Sequence, residues 1–456
     1  MIPYPAYKST NLPWLPNIPA HWDVVKIKYA FKERVEKGYP EEPLLAATQN
    51  HGVIPKSLYE TRTVTAQKDL HLLKLVRVGD FVISLRSFQG GIEYAYYQGI
   101  ISPAYTIMVP SAPQLNPMFF KHLAKSKTMI KLLQTCVTGI REGQNIDYET
   151  LKRNSIPVPP LNEQEQIVRY LDSMTAKINK LIRAKKKQIA LLQEQRQAII
   201  NQAVTKGLDP NVEMKDSGQS RIGTIPRHWL LKEVKRMCRL QGGSGFPVEY
   251  QGNFSESIPF IKVNSLSSHI STLRQYDTVS PETAKLLNAK VFSQGDIVFA
   301  KVGAALLLHR FEILPFDCCI DNNMMAMYNI SENVYWLKYA LSLLNFNDLV
   351  NPGAVPSISQ TQVGSLLIPC PPNSEQMEIV SHIERHSRKI DTLISRIEHS
   401  IICLQEYKNS LISSVVTGQT DVRNIPVEDV IPDDLIPDDD PTSEIEEEPT
   451  ADESEE

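Results

Sequence analysis

The chain of 456 residues is too long for one ordinary core and fits two or three domains. Its 42% hydrophobic share is that of a globular protein, and no apolar run approaches the roughly 20 residues that cross a bilayer, which argues against a membrane partner. The net charge of −4 hides a segregation: Val427 to Glu456 holds 15 Asp or Glu and no Lys or Arg, leaving 48 basic against 37 acidic residues over 1–426, a body whose charge permits nucleic acid as a partner.

In chain order, Met1 to Asn11 has neither the basic nor the apolar region of a secretory signal. Residues 1–158 read as a first globular α/β domain, in which Gly79-Asp80 is a turn leading into the apolar strand Phe81–Ile83. After Pro159-Pro160 the period becomes helical, and 159–207 reads as a long helix. Its apolar seam runs through Ile167, Leu171, Met174, Ile178, Leu181, Ile189, Leu192, Ile199 and Ala203, with one irregular step near Lys185 to Ile189. A second α/β domain is expected over 208–371. A second long helix follows over 372–420, with seam Ile379, Ile383, His386, Ile390, Leu393, Ile397, Ile401, Leu404, Leu411 and Val415. Its irregular step falls at Ile397 to Ile401. Asn162 and Ser374 take matching N-cap positions, while Gly207 and Gly418 end the helices. The acidic stretch 421–456, rich in Pro and poor in apolar residues, is expected to be disordered. The six cysteines form no Cys-x-x-Cys pair and read as buried free thiols of a reducing cytoplasm, not as metal ligands.

The two halves are copies. Ile156-Pro157-Val158-Pro159-Pro160 matches Ile368-Pro369-Cys370-Pro371-Pro372, Glu163-Gln164 matches Glu375-Gln376, and Val204-Thr205 matches Val416-Thr417, all at an offset of 212. Upstream, Ile18-Pro19-Ala20-His21-Trp22 echoes Ile225-Pro226-Arg227-His228-Trp229, and Gly79-Asp80 echoes Gly295-Asp296, at other offsets. The helices are thus held constant while the domain interiors diverge. A helix of about 45 residues is roughly 67 Å long, more than a small domain buries, so each needs a helical partner. Because the seams are copies, the helices are expected to pair with each other. The second domain starts where the first helix ends and finishes where the second begins, so only antiparallel pairing lets a compact domain bridge both points. The expected fold is therefore mixed α/β: two globular domains separated by two long helices in an antiparallel coiled coil, with a pseudo-twofold internal repeat.

These motifs resemble the specificity (S) subunit of type I restriction-modification enzymes. The resemblance rests on the Pro-Pro-Leu161-Asn162-Glu163-Gln164 helix start with its second copy, and on the helix exit Ala203–Gly207. It also rests on Met214–Gly218 leading to Trp229, on Ser102-Pro103-Ala104-Tyr105, and on Gly242–Pro247. It extends to about residue 420; the acidic tail departs from the pattern. It implies two target recognition domains reading the halves of a bipartite asymmetric site on double-stranded DNA. It further implies two methyltransferase (M) subunits docked on the helices, restriction/translocase (R) subunits, and a prokaryotic cytoplasm. S-adenosylmethionine, ATP and magnesium would serve those partners, with no cofactor in this chain.

The residues offer no catalytic site of their own. Ser102–Tyr105 lacks the first polar group and second proline of an adenine methyltransferase motif, and Gly242–Gly245 lacks the Gly-Lys-Ser/Thr of a P-loop. DNA contacts are expected from Arg, Lys, Asn, Gln and Ser in loops. In the first domain these are Arg86, Ser87, Gln89, Arg141, Gln144 and Asn145. In the second they are Ser244, Lys262, Asn264, Lys301, Ser357 and Gln360. Lys185, Lys186 and Lys187 read as a solvated helix face or as phosphate contacts across the spacer. The alternative reading is a coiled-coil scaffold with two protein-binding heads.

Overall fold

The computed structural model describes residues 2–49, 51–58, 69–85, 87–138, 145–268, 270–271, 273–344 and 355–428. Most of the acidic tail, with its expected disorder, lies outside them. The chain divides into two compact units, residues 1–188 with 396–456, and residues 189–395.

In the first unit an antiparallel sheet is built from β1 (Phe31–Arg34), β2 (Phe81–Ile83), β3 (Glu93–Tyr94) and β4 (Thr106–Pro110), in the order β1-β4-β2-β3. All three residues of β2 are buried, so this strand is covered on both faces. Gly79 before it has φ 95°, and the Asp80 carboxylate accepts the Arg77 N–H at 2.7 Å and pairs with Arg34, which bears out the turn. Helix α1 (Pro117–Ala124) starts at Asn116, whose side chain caps Met118 N–H at 2.9 Å. It drives Phe120 between Phe31 and Phe81, at 4.4 and 4.8 Å between ring centres. Strands Asp23–Lys26 and Ser155–Val158 pair antiparallel and tie the domain's start to its finish.

From there the chain enters α2 (Leu161–Lys206). The second unit repeats the plan. Its four-stranded sheet comprises β5 (Arg239–Gly242), β6 (Ile297–Ala300), β7 (Phe311–Ile313) and β8 (Met324–Tyr328), in the order β5-β8-β6-β7. Helix α3 (Val334–Leu341) follows, capped by Asn333, and Leu230–Glu233 pairs with Leu367–Cys370 before α4 (Asn373–Val416). The interiors differ as the sequence implies. The first domain has a hairpin of Leu45–Thr48 with Gly52–Pro55; the second has a three-stranded sheet containing a parallel pair, Ile258–Ile261 with Cys319–Ile320.

Each helix begins two residues earlier than the expected caps place it. Leu161 and Asn373 are already helical, so Asn162 and Ser374 lie in the first turn and not at the cap. The prolines explain this: the Pro160 carbonyl accepts from the Glu163 and Gln164 N–H groups, and the Pro372 carbonyl from Gln376. Gly207 and Gly418 end the helices at φ 72° and 73°, in the left-handed region where glycine is favoured.

The Glu-Gln pair of each helix start builds the junction with its domain. In the first unit Glu163 accepts from Trp22 Nε1 at 2.9 Å and Tyr4 Oη at 2.6 Å, and pairs with His21 at 2.7 Å. Gln164, fully buried, accepts the Asn116 N–H and donates to the carbonyls of Gln114 and Pro159. In the second unit Glu375 accepts from Trp229 Nε1 at 3.0 Å and pairs with His228 at 2.8 Å. Gln376 accepts the Asn333 N–H and donates to Glu332 and the Pro371 carbonyl. The end of the other helix closes each junction. A Cβ on Gly418 would lie 3.2 Å from the Trp22 ring, and one on Gly207 3.3 Å from Trp229.

Within the first unit the start of α2 therefore lies beside the end of α4, and within the second the end of α2 lies beside the start of α4. A polar contact recurs across them. Lys408 Nζ donates to Asn179 Oδ1 at 3.2 Å in the first unit, and Arg196 pairs with Asp391 in the second. Lys408 is the counterpart of Arg196 at the 212-residue offset, and Asp391 that of Asn179. Where the carboxylate is absent, burial pushes the Lys408 ammonium down from its ordinary value.

The seam itself needs one correction. Ile167, Leu171, Ile178, Ile379, Ile383, Ile390 and Leu411 are buried, and Leu192, Ile199 and Leu404 are half-buried. Leu181 and Leu393, however, are 52% and 45% exposed. Their neighbours Ile182 (buried) and Ile394 (half-buried) take the seam instead. The irregular step thus falls at Ile178 to Ile182 and at Ile390 to Ile394, about one heptad before the expected place in each copy. Five of the six cysteines are buried as expected; Cys403 is exposed.

Candidate nucleic-acid interface

In the second domain, two glycines at the end of β5 allow close approach of backbone and of one lysine. A Cβ on Gly243 would lie 2.1 Å from the Asp321 carbonyl oxygen and 2.2 Å from that of Ile320, a backbone approach only glycine permits. At Gly242 the Lys301 ammonium lies 2.7 Å from the same position. Asp321 is buried, and its carboxylate accepts the N–H groups of Val263 and Asn323 at 2.8 and 2.9 Å. Burial pushes this carboxyl up from its ordinary value, against the opposing pull of those bonds and of Lys262 and Lys301.

Five of the expected contact residues border this cluster. Ser244 N–H donates to the Ile320 carbonyl and its hydroxyl to Asn288 O at 2.9 Å. Lys262 is held by Asp277 at 2.6 Å and Gln251 at 2.9 Å, and lies 5.2 Å from the centre of the Phe246 ring, which stacks on Phe260. Asn264 follows Val263 in the turn Val263–Ser268. Lys301 is fixed through its backbone to Asn323 and Ile358, which sets Ser357 beside it. Gln360 is further along, exposed at the first position of the helix Gln360–Gly364. Lys262 is thus already committed to a carboxylate. Sequence could not reveal that, because Asp277 is brought to it by strand pairing.

The first domain gathers less. Arg86, Arg141 and Gln144 lie outside the described residues. Gln89 is exposed on the short helix Ser87–Gly90, and Asn145 is exposed with its side chain accepting the Ile146 N–H. Ser87 is only 1% exposed and its hydroxyl accepts the Ser84 N–H at 2.8 Å, so it braces the loop and presents nothing to a ligand. The loop is pinned from behind by Lys125, which donates to the carbonyls of Gln49 and Gly90 and pairs with Glu93. Gly91 has φ 90°, and a Cβ there would meet the Ala124 carbonyl oxygen at 2.4 Å. Ser102–Tyr105 is a turn whose Tyr105 side chain is buried, which suits support of β4 and not catalysis.

One concave feature of the second domain escaped the sequence reading. A cleft of about 670 Å³ is lined by Arg239, Lys290, Tyr328, Asn329 and Glu332, with Lys290 Nζ 3.0 Å from the centre of the Tyr328 ring. Neither basic residue lies in a motif, so spacing gave no signal. Among the described residues no group of three or more His, Cys, Asp or Glu could hold a metal ion. No helix among them is long and apolar enough to cross a membrane.

Known proteins match this arrangement along most of the chain. The type I restriction modification DNA specificity domain matches twice, over residues 23–191 and 226–401. A putative type I restriction enzyme MjaX specificity subunit of Methanocaldococcus jannaschii is 23% identical, covering 89% of this chain and 95% of its own. The MjaVIII specificity subunit of the same organism is 24% identical over 77% of this chain and 81% of its own. A solved structure described as the basis of complex assembly and conformational transition of the type I R-M system superposes with TM-score 0.63. It is 17% identical and covers 88% of this chain and 99% of its own. The chain therefore belongs to the family of type I restriction modification DNA specificity domains, which it carries twice.

Proposed function

We propose that this chain is the non-catalytic DNA-recognition subunit of a type I restriction-modification complex. Each α/β domain reads one half of a bipartite, asymmetric duplex site. The long helices, paired antiparallel as one coil, set the unread spacer, and two M subunits dock on them to methylate adenine. R subunits join the same assembly. S-adenosylmethionine, ATP and magnesium act in those partner chains.

The observation that carries this reading is the junction built twice, Trp22–Glu163 and Trp229–Glu375, beneath domain interiors that differ. A duplicated mount with divergent heads suits two different half-sites. In the second domain, base or phosphate contact is assigned to Ser244, Asn264, Lys301, Ser357 and Gln360, with Lys262 as an anchor. In the first it is assigned to Gln89 and Asn145 together with Arg86, Arg141 and Gln144. Ser87, being buried, has no part in it.

The purified chain, mixed with labelled S-adenosylmethionine and duplex DNA, is expected to transfer no methyl groups. With M subunits added, transfer to adenine appears, and duplex affinity falls steeply with salt as phosphate contacts release counterions. Methyl transfer by the chain alone would overturn the reading. Absence of salt-dependent duplex binding with M present would favour a scaffold with protein-binding heads.

A further inference from the structure

We propose that the acidic segment 429–456 docks on the basic face of α2 between Lys177 and Lys187 and screens that face from nucleic-acid phosphate. The described chain leads there. Past Gly418 it folds back over the first domain: Val422 is fully buried, and the Asp421 N–H donates to the Ile2 carbonyl at 2.8 Å. Arg423 pairs with Asp421 at 2.6 Å and lies 5.0 Å from the centre of the Tyr4 ring. Gln166 Nε2 on α2 donates to the carbonyls of Val422 and Ile425, at 3.1 and 2.8 Å. Glu428, the last described residue, then pairs with Lys177 at 2.8 Å. That ammonium holds the Glu428 carboxyl below its ordinary value.

These anchor points give a direction. At about 100° per residue, Gln166 and Lys177 fall within roughly 20° of the same azimuth, three turns apart. The strap therefore travels along one stripe of α2 toward its middle. Ahead of it lie Lys177, Lys180, Arg183, Lys185, Lys186 and Lys187, and α2 carries no carboxylate between Asp172 and Glu194. Lys177, Lys180, Arg183 and Lys187 span an arc of roughly 120°. That arc lies on the far side of the helix from Leu171, Ile178 and Ile182, which are buried in the seam.

The second helix does not repeat this face. Its counterparts at the 212-residue offset are Lys389, Thr392, Ser395, Ile397, Glu398 and His399. The basic face and the acidic segment each occur once, and both belong to the first unit. Residues 429–456 hold 14 carboxylates and no Lys or Arg. From Lys177 to Lys187 is about 15 Å, which roughly five extended residues cover, so length does not limit the docking.

Zero-length carbodiimide crosslinking of the full chain, read by mass spectrometry, tests the docking without DNA. Crosslinks are expected from 429–456 to Lys177, Lys180 or Lys187, and are expected to fade as salt rises. Crosslinks absent from this stretch, or spread evenly over the other lysines, would overturn the docking. The screening rests on the DNA-recognition reading and is tested separately. With M subunits present, a chain lacking 429–456 is expected to bind non-target duplex about tenfold tighter at low salt, with a steeper salt dependence. The triple variant Lys180→Glu, Arg183→Glu, Lys187→Glu is expected to abolish that difference. Unchanged affinity and slope on truncation, with crosslinks intact, would overturn the screening. Loss of duplex binding by both chains would instead count against the DNA-recognition reading.

Discussion

Replacing Trp229 with alanine is expected to destabilise the second unit by about 3–5 kcal/mol, the usual cost of emptying a large aromatic site in a core. Trp229 is fully buried in a cluster that draws Ile200, Ala203 and Val204 from α2 and Ile379 and Ile383 from α4. The ring therefore fastens both helices to the domain, and its loss leaves Glu375 without the Nε1 donor. Trp229→Phe keeps most of the apolar surface and removes that charge-assisted bond, so a smaller loss of about 1.5–3 kcal/mol is expected. Urea unfolding followed by circular dichroism, analysed with separate transitions for the two units, measures both. A loss below about 0.5 kcal/mol for Trp229→Ala, far under the usual cost of such a cavity, would show that the junction does not hold the unit together.

Inserting one heptad into each long helix is expected to abolish recognition of the original site and create a site with a longer spacer. Seven residues add about 10.5 Å of helix, close to three base pairs at roughly 3.4 Å each. The half-sites are expected to stay the same, because neither domain is altered. The insertion keeps the apolar seam in phase, whereas three or four residues would disturb it. Selection of bound sequences from a random duplex pool in the presence of M subunits gives the spacer directly. An unchanged spacer would refute the coil as a ruler.

Much of this scaffold was legible because the chain states it twice. The 212-residue offset located both helix starts to within two residues, and the Glu-Gln pairs marked residues whose roles the structure then supplied: Glu163 and Glu375 hold tryptophans, while Gln164 and Gln376 hold the caps of α1 and α3. Burial follows the expected seam at most positions and departs from it most clearly at Leu181 and Leu393. Leu181 and Ile182 are adjacent and both apolar, as are Leu393 and Ile394, and residues about 100° apart fit either continuation of the heptad. Packing chose the second of each pair. The contact residues were harder to read. Ser87 and Lys262 have the right chemistry, but one is buried and the other is paired across strands, and neither fact is local in sequence. Lys290 acquires its setting over Tyr328 from a residue 38 positions away, which no spacing rule anticipates.

The most direct test of the central claim, two separable reading domains on one mount, is to exchange residues 1–158 for the corresponding domain of a relative and map methylated adenines in cellular DNA. One half-site is expected to change while the other half and the spacer are retained. A change in both halves, or an unchanged site, would contradict the claim.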